Sequence, residues 1–187
     1  MAQTAQLRRI DGADNEAQRV LRLQRAAYLR HPYPSREERG ENLLKLERVL
    51  VDNATAIAEA INADFGHRAF EESMMAELFT SVDGIRDARK RLRKWMRPQR
   101  RHVSILFATA RNRVIPQPKG VVGVISPWNY PLFLTAGPLT SILAAGNRAM
   151  VKMATNSQHL CRLLAEKCRA VFPEDTLAIL PGVKAQD

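Results

Sequence analysis

The chain has 187 residues, a formal charge of +10 from 29 Lys and Arg against 19 Asp and Glu, and 45% hydrophobic residues. That length supports one good-sized core or two small ones, with an apolar content ordinary for a soluble protein. No apolar run reaches the roughly 18 residues of a membrane span, and two cysteines, Cys161 and Cys168, are too few for a disulfide framework, which fits a cytoplasmic setting.

Residues 1–17, MAQTAQLRRIDGADNEA, are polar and lack the apolar core of a secretory signal, so they read as a flexible lead-in. Residues 18–102 read as helical. Val20, Leu21, Leu23, Ala27 and Tyr28 suggest a short amphipathic helix, stopped by His-Pro-Tyr-Pro at 31–34. Ser35-Arg-Glu-Glu38 is a capping-box pattern, and Leu43, Leu46, Leu50, Ala54, Ile57 and Ile61 follow it at helical spacing. Asp52-Asn53 can divide this run by capping its second part, and Gly66 is the expected stop.

A third helix spans about 71–97, with Met75, Leu78, Val82, Ile85, Arg89, Leu92 and Met96 on one face and most basic residues on the other. The cluster at 86–101 raises the possibility of nucleic-acid binding, but no recognition fold or aromatic platform accompanies it. A solvated helix face is the simpler reading, and no specific nucleic-acid partner is expected. Residues 103–119 have some strand character, and Pro116 and Pro118 suit an edge or linker.

From residue 120 the period changes. Val121–Ser126, Ala149–Met153 and Leu177–Leu180 read as short strands. Leu132–Ala145, ending at Gly146-Asn147, and Ser157–Phe172 read as helices. The fold class is therefore α/β: a helical N-terminal region followed by the first βαβαβ half of a doubly wound parallel, Rossmann-like sheet over 120–187.

In such sheets ligands sit beyond the carboxyl ends of the strands. Ser126-Pro-Trp-Asn-Tyr130 occupies that place after the first strand, and no G-x-G-x-x-G accompanies it. An uncharged carboxamide held there, Asn129, can stabilise a negative oxygen developing on a carbonyl under attack. Alone, Asn129 also reads as a turn or cap residue and Trp128 as a packing aromatic.

The run P-K-G-V-V-G-V-I-S-P-W-N-Y-P, the helix ending A-A-G-N and the V-K after it resemble the aldehyde dehydrogenase superfamily, and the blend is most similar to coniferyl aldehyde dehydrogenases. The upstream R-E-E-R-G-E-N-L-L-K-L-E-R-V-L-V-D-N, A-D-F-G-H-R and K-W-M-R-P extend the likeness from about residue 16 onward. The resemblance implies oxidation of an aldehyde, with an aromatic, coniferyl-type one as the finer expectation, to a carboxylic acid with NAD or NADP. It implies Asn129 as the oxyanion donor, Ile125, Ser126, Pro127 and Trp128 as the cofactor-lining turn, and Tyr130 near the substrate channel. Lys152 matches the lysine that contacts the adenosine ribose. Residues 103–119 resemble the hairpin through which the family builds oligomers, so a homo-oligomer is expected.

Two departures stand out. Thr155 occupies the position where the family carries a Glu after the lysine, which predicts weaker NAD binding and less discrimination against NADP. The family's nucleophilic Cys and general-base Glu lie further along and have no counterpart here, so the chain reads as the N-terminal portion of such an enzyme and as inactive alone. Cys161 and Cys168, seven apart on one helix face, read as packing thiols, and His31, His67, His102 and His159 lack metal-ligand spacing. A non-catalytic remnant acting as an oligomerisation module is the other reading.

Overall fold

The computed structural model describes residues 15–182. Helices begin where the sequence supplies side-chain acceptors. Asn15 Oδ1 accepts the Gln18 N–H at the start of α1 (Glu16–Arg30). Residues 16 and 17, read as lead-in, therefore belong to a helix, and residues 1–14 lie outside the described region. Both halves of the capping box form at α2 (Arg36–Asp52): Ser35 Oγ accepts the Glu38 N–H, and the Glu38 carboxylate accepts the Ser35 N–H at 2.6 Å. That backbone donor holds the Glu38 carboxyl below the usual range.

Asn53 does separate α2 from α3 (Ala54–Phe65), but by a different device from the one expected. Its side-chain amide donates to the Val49 carbonyl of α2, while the start of α3 carries no side-chain cap. Gly66 stops α3 in the left-handed region, φ 83°, where its lack of a Cβ is needed.

The third helical run, 70–95, is not uniform. A single turn, α4 (Phe70–Glu72), passes into a π-helical stretch (Ser73–Phe79) and then into α5 (Thr80–Trp95). The wider π turn rotates the register. Met75, expected on the apolar face, is 64% exposed, while Ser73, Glu77 and Ser81 turn inward beside Leu78, Val82 and Ile85. On α5 the basic face is partly neutralised: Arg86 and Arg89 donate to the two oxygens of Glu47 on α2 at 2.7 and 2.8 Å.

Burial alone would raise the Glu47 pKa, yet these two guanidinium bonds leave it below the ordinary value. A carboxyl depressed in the folded state adds stability above its unfolded pKa, about 4.3, and loses it as pH falls through the folded value. Glu47→Gln is expected to destabilise the chain at pH 7, with the difference fading in acid. A difference in melting temperature that persisted at low pH would contradict this.

Next comes an antiparallel hairpin, β1 (Gln99–Arg101) with β2 (Asn112–Val114). Its first strand lies in the basic tail assigned above to the helical region, so the hairpin starts earlier than residue 103. Ile105, Leu106 and Phe107 at its tip are 66–88% exposed.

Three parallel strands follow, β3 (Val121–Ile125), β4 (Arg148–Lys152) and β5 (Leu177–Ile179), in the order β3-β4-β5. Between them run α6 (Phe133–Ala144) and α7 (Gln158–Val171). Period-two alternation sorts the strands between two cores. Val124, Ala149, Val151, Leu177 and Ile179 pack with α6 and α7, which in turn meet α2, α3 and α5. Met150, Ala178 and Leu180 pack with Val20 of α1 on the opposite face. Gln24 of α1 bonds the carbonyls of Ala149 and Glu174, tying α1 to the sheet. Gly146 and Asn147 close α6 as expected, the Gly146 N–H donating to the Leu143 carbonyl and the Asn147 N–H to the Ile142 carbonyl; Asn147 Oδ1 also accepts the Lys119 and Gly120 N–H groups and anchors the entry to β3.

Candidate functional site

The carboxyl ends of β3 and β4 form one rim. Ile125 stands opposite Lys152 in the parallel register, and the next residue, Ser126, donates its N–H to the Lys152 carbonyl at 3.0 Å. The chain then leaves the sheet because Pro127 has no N–H to continue the ladder. Ile125, Pro127, Trp128, Asn129 and Tyr130 are all exposed at this rim, while Ser126 is buried. Lys152 is half-buried, and among the described residues its ammonium makes one long bond, 3.4 Å, to the Met153 carbonyl. Thr155 is exposed in the turn after β4. The structure thus brings Ile125 to Tyr130 and Lys152 to one sheet edge. The Asn129 carboxamide faces solvent, with no hydrogen-bond partner among the described residues.

The support beneath this turn was not visible in the sequence. Arg68 lies just after α3 with its guanidinium 4.5 Å from the ring centroids of both Phe65 and Tyr130. Its Nη1 donates to the Asn129 carbonyl at 2.8 Å and to Glu77 Oε1 at 3.2 Å, and its Nη2 donates to Glu72 at 2.8 Å. Glu77 is fully buried, and its Oε2 accepts the N–H groups of Leu132 and Phe133 at 2.7 and 3.2 Å. The carboxylate therefore caps the free amides at the start of α6, where the helix dipole favours negative charge. Burial pushes the Glu77 carboxyl up, against the pull of those two amides and of Arg68. The legible signal was a Glu beside an otherwise apolar helix stripe, flanked at four-residue spacing by Ser73 and Ser81; the π turn that seats it inside was not legible.

Both thiols are buried. Cys161 and Cys168 lie on the inner face of α7, 1% and 2% exposed. Burial raises both, the Cys168 pKa to about 12. A thiolate is the reactive form, so neither is poised as a nucleophile. In the folded chain at pH 8, both are expected to resist a colorimetric thiol reagent and to react fully after denaturation. Fast modification without denaturant would contradict the assignment. Of the histidines, His31 pairs with Glu38, and His159 bonds Asp64, which also caps the start of α7.

The rim carries polar groups with unused bonding capacity. Ser126 Oγ is buried without a partner, and Lys152 keeps donor capacity on the adjacent strand end. Lysine there accommodates either a ribose hydroxyl or a 2′-phosphate.

Residues 3–186 match the aldehyde dehydrogenase family. The chain is 44% identical over 182 residues to a probable coniferyl aldehyde dehydrogenase of Pseudomonas aeruginosa, covering 97% of this chain and 38% of that protein. It is 43% identical over 143 residues to a coniferyl aldehyde dehydrogenase of a Pseudomonas species, covering 75% of this chain and 29% of that protein. Among solved structures, Staphylococcus aureus AldH in a substrate-bound state superposes with a TM-score of 0.85 at 23% identity, over 90% of this chain and 37% of that one. PnpE in complex with nicotinamide adenine dinucleotide superposes at 0.73 and 24% identity, over 88% and 33%. The chain thus spans 29–38% of the length of these relatives.

Proposed function

The chain belongs to the aldehyde dehydrogenase family, and from that premise we propose that it supplies the oxyanion donor and part of the cofactor floor for oxidation of an aldehyde to a carboxylic acid. The observation that carries this reading is the place of Asn129: in the turn that joins the end of a parallel strand to α6, next to the end of the strand bearing Lys152. Under nucleophilic attack the aldehyde carbonyl oxygen gains negative charge, and the Asn129 N–H₂ is the neutral donor that meets it without changing protonation. Lys152 and Ser126 hold the nucleotide; the cofactor, NAD or NADP, supplies the hydride acceptor when bound. Thr155 offers one hydroxyl where a carboxylate would take two, which favours a relaxed choice between NAD and NADP.

With both of its cysteines buried and protonated, the chain alone is expected to show no turnover. Activity is tested in a chimera in which this chain replaces the matched segment of the Pseudomonas aeruginosa relative. Reduction of NAD or NADP with an aromatic aldehyde, coniferaldehyde first, is expected. A folded chimera without aldehyde oxidation would overturn the reading.

A second reading rests on the bare tip of the hairpin. Ile105, Leu106 and Phe107 stand exposed side by side there, an apolar patch of the kind that marks interaction sites. A second copy of the chain pairing there, as an oligomerisation module, accounts for it.

A further inference from the structure

We infer that Arg68 and Glu77 are positioning residues that aim the Asn129 carboxamide at the carbonyl oxygen it is to bind. This rests on the oxyanion reading of Asn129 and adds how that donor is held. The Asn129 side chain has no hydrogen-bond partner among the described residues, so the place from which it projects is set by its backbone. That backbone is gripped on both sides. Arg68 Nη1 bonds the Asn129 carbonyl, and its guanidinium packs on the ring of the next residue, Tyr130. Glu77 bonds the N–H groups of Leu132 and Phe133, three and four residues further on. The two clamps are joined by the Arg68–Glu77 ion pair, in which the side chains are 7% and 0% exposed.

Such a pair is an expensive way to hold a helix against a core. Well-packed apolar side chains of similar volume are often as stabilising, and Glu is almost never fully buried unless paired. Glu77 moreover sits in a π-helical stretch, a rare geometry frequent at functional sites. The stretch turns an acid out of the helix's regular register and into contact with α6. A carboxylate aimed by an unusual helix, an arginine clasped between two rings, and an otherwise unsupported carboxamide together make a fixture for one turn.

The test uses Arg68→Lys, which keeps the charge but loses the planar fork, and Glu77→Gln. In the 187-residue chain, amide hydrogen exchange at Leu132, Phe133 and Leu134 is expected to accelerate in both variants. With Trp95→Phe leaving Trp128 as the single reporter, the Trp128 emission is expected to shift. In the chimera, Arg68→Lys is expected to lower kcat by about 10- to 100-fold with KM for the aldehyde little changed, because small misplacements of a catalytic group carry such factors. In an Asn129→Ala background the same substitution should remove almost nothing more. Unchanged exchange and emission in the chain, or a kcat loss of equal size with and without Asn129, would overturn the inference. If Asn129→Ala left kcat intact, the oxyanion reading would fall instead. The exchange and emission measurements would still decide whether Arg68 and Glu77 hold the turn.

Discussion

Replacing Asn129 by alanine in the chimera is expected to lower kcat by about 100- to 1,000-fold, the loss that follows removal of one oxyanion donor. The effect is this large because the donor meets charge that exists only in the transition state, where a fixed dipole needs no reorganisation. KM should move little, since the ground-state carbonyl oxygen gains less from the same N–H₂. Asn129→Asp is the sharper variant: it keeps the size of the side chain and turns a donor into an anion facing a developing anion, so it should be no more active than alanine. Stability is not at stake, because the carboxamide is exposed and bonds no described neighbour. An Asn129→Ala chimera within a few-fold of the parent kcat would end the assignment.

The second large effect is on folding. Gly146→Ala is expected to destabilise the chain by about 2–4 kcal/mol, from left-handed strain plus broken buried bonds. Gly146 has φ 80°, and a Cβ there would lie 2.7 Å from Arg39 Nε and 2.8 Å from Arg39 Cζ. Arg39 is 5% exposed; its Nε donates to the Pro34 carbonyl at 3.0 Å and its Nη1 to the Ala144 carbonyl at 3.4 Å. The guanidinium therefore holds the end of α6 against the start of α2, and the methyl would push it off both acceptors. For a chain of this size the melting temperature should fall by roughly 5–15 °C. Gly84→Ala is the control: nothing lies within 4 Å of its Cβ, and alanine in an exposed helix interior stabilises by up to about 1 kcal/mol. Equal melting temperatures for the two variants would contradict this account.

Much of this architecture can be read along the chain because it depends on neighbours in sequence. The capping box at Ser35 needs a residue three positions away, and Gly66 needs only its own missing Cβ. The strand 121–125 declares itself by a β-branched run between Gly and Pro. The motif around Asn129 is local too, which is why family, fold class and rim could be named from it. The structure departs from these expectations where a competing local geometry wins. Asn53 turned its amide back to Val49. Met75 was rotated outward by a π turn that no periodicity of 3.6 can foresee. The hairpin took its first strand from a stretch whose charge pattern continued the helix before it.

The candidate site divides the same way. Asn129, Lys152 and Ser126 are named by the family resemblance of local motifs, whereas Arg68 and Glu77 are 61 and 52 residues before Asn129 and acquire meaning only when α3 and the π stretch dock against α6. Gly146 likewise reads as a helix stop, and its collision partner Arg39 is over a hundred residues away. Short-range hydrogen bonding and side-chain periodicity are properties of a segment, so the amino-acid order alone specifies them. Which buried charge faces which free amide depends on how segments pack, and that is settled only when desolvation drives buried charges in the closed core to find partners.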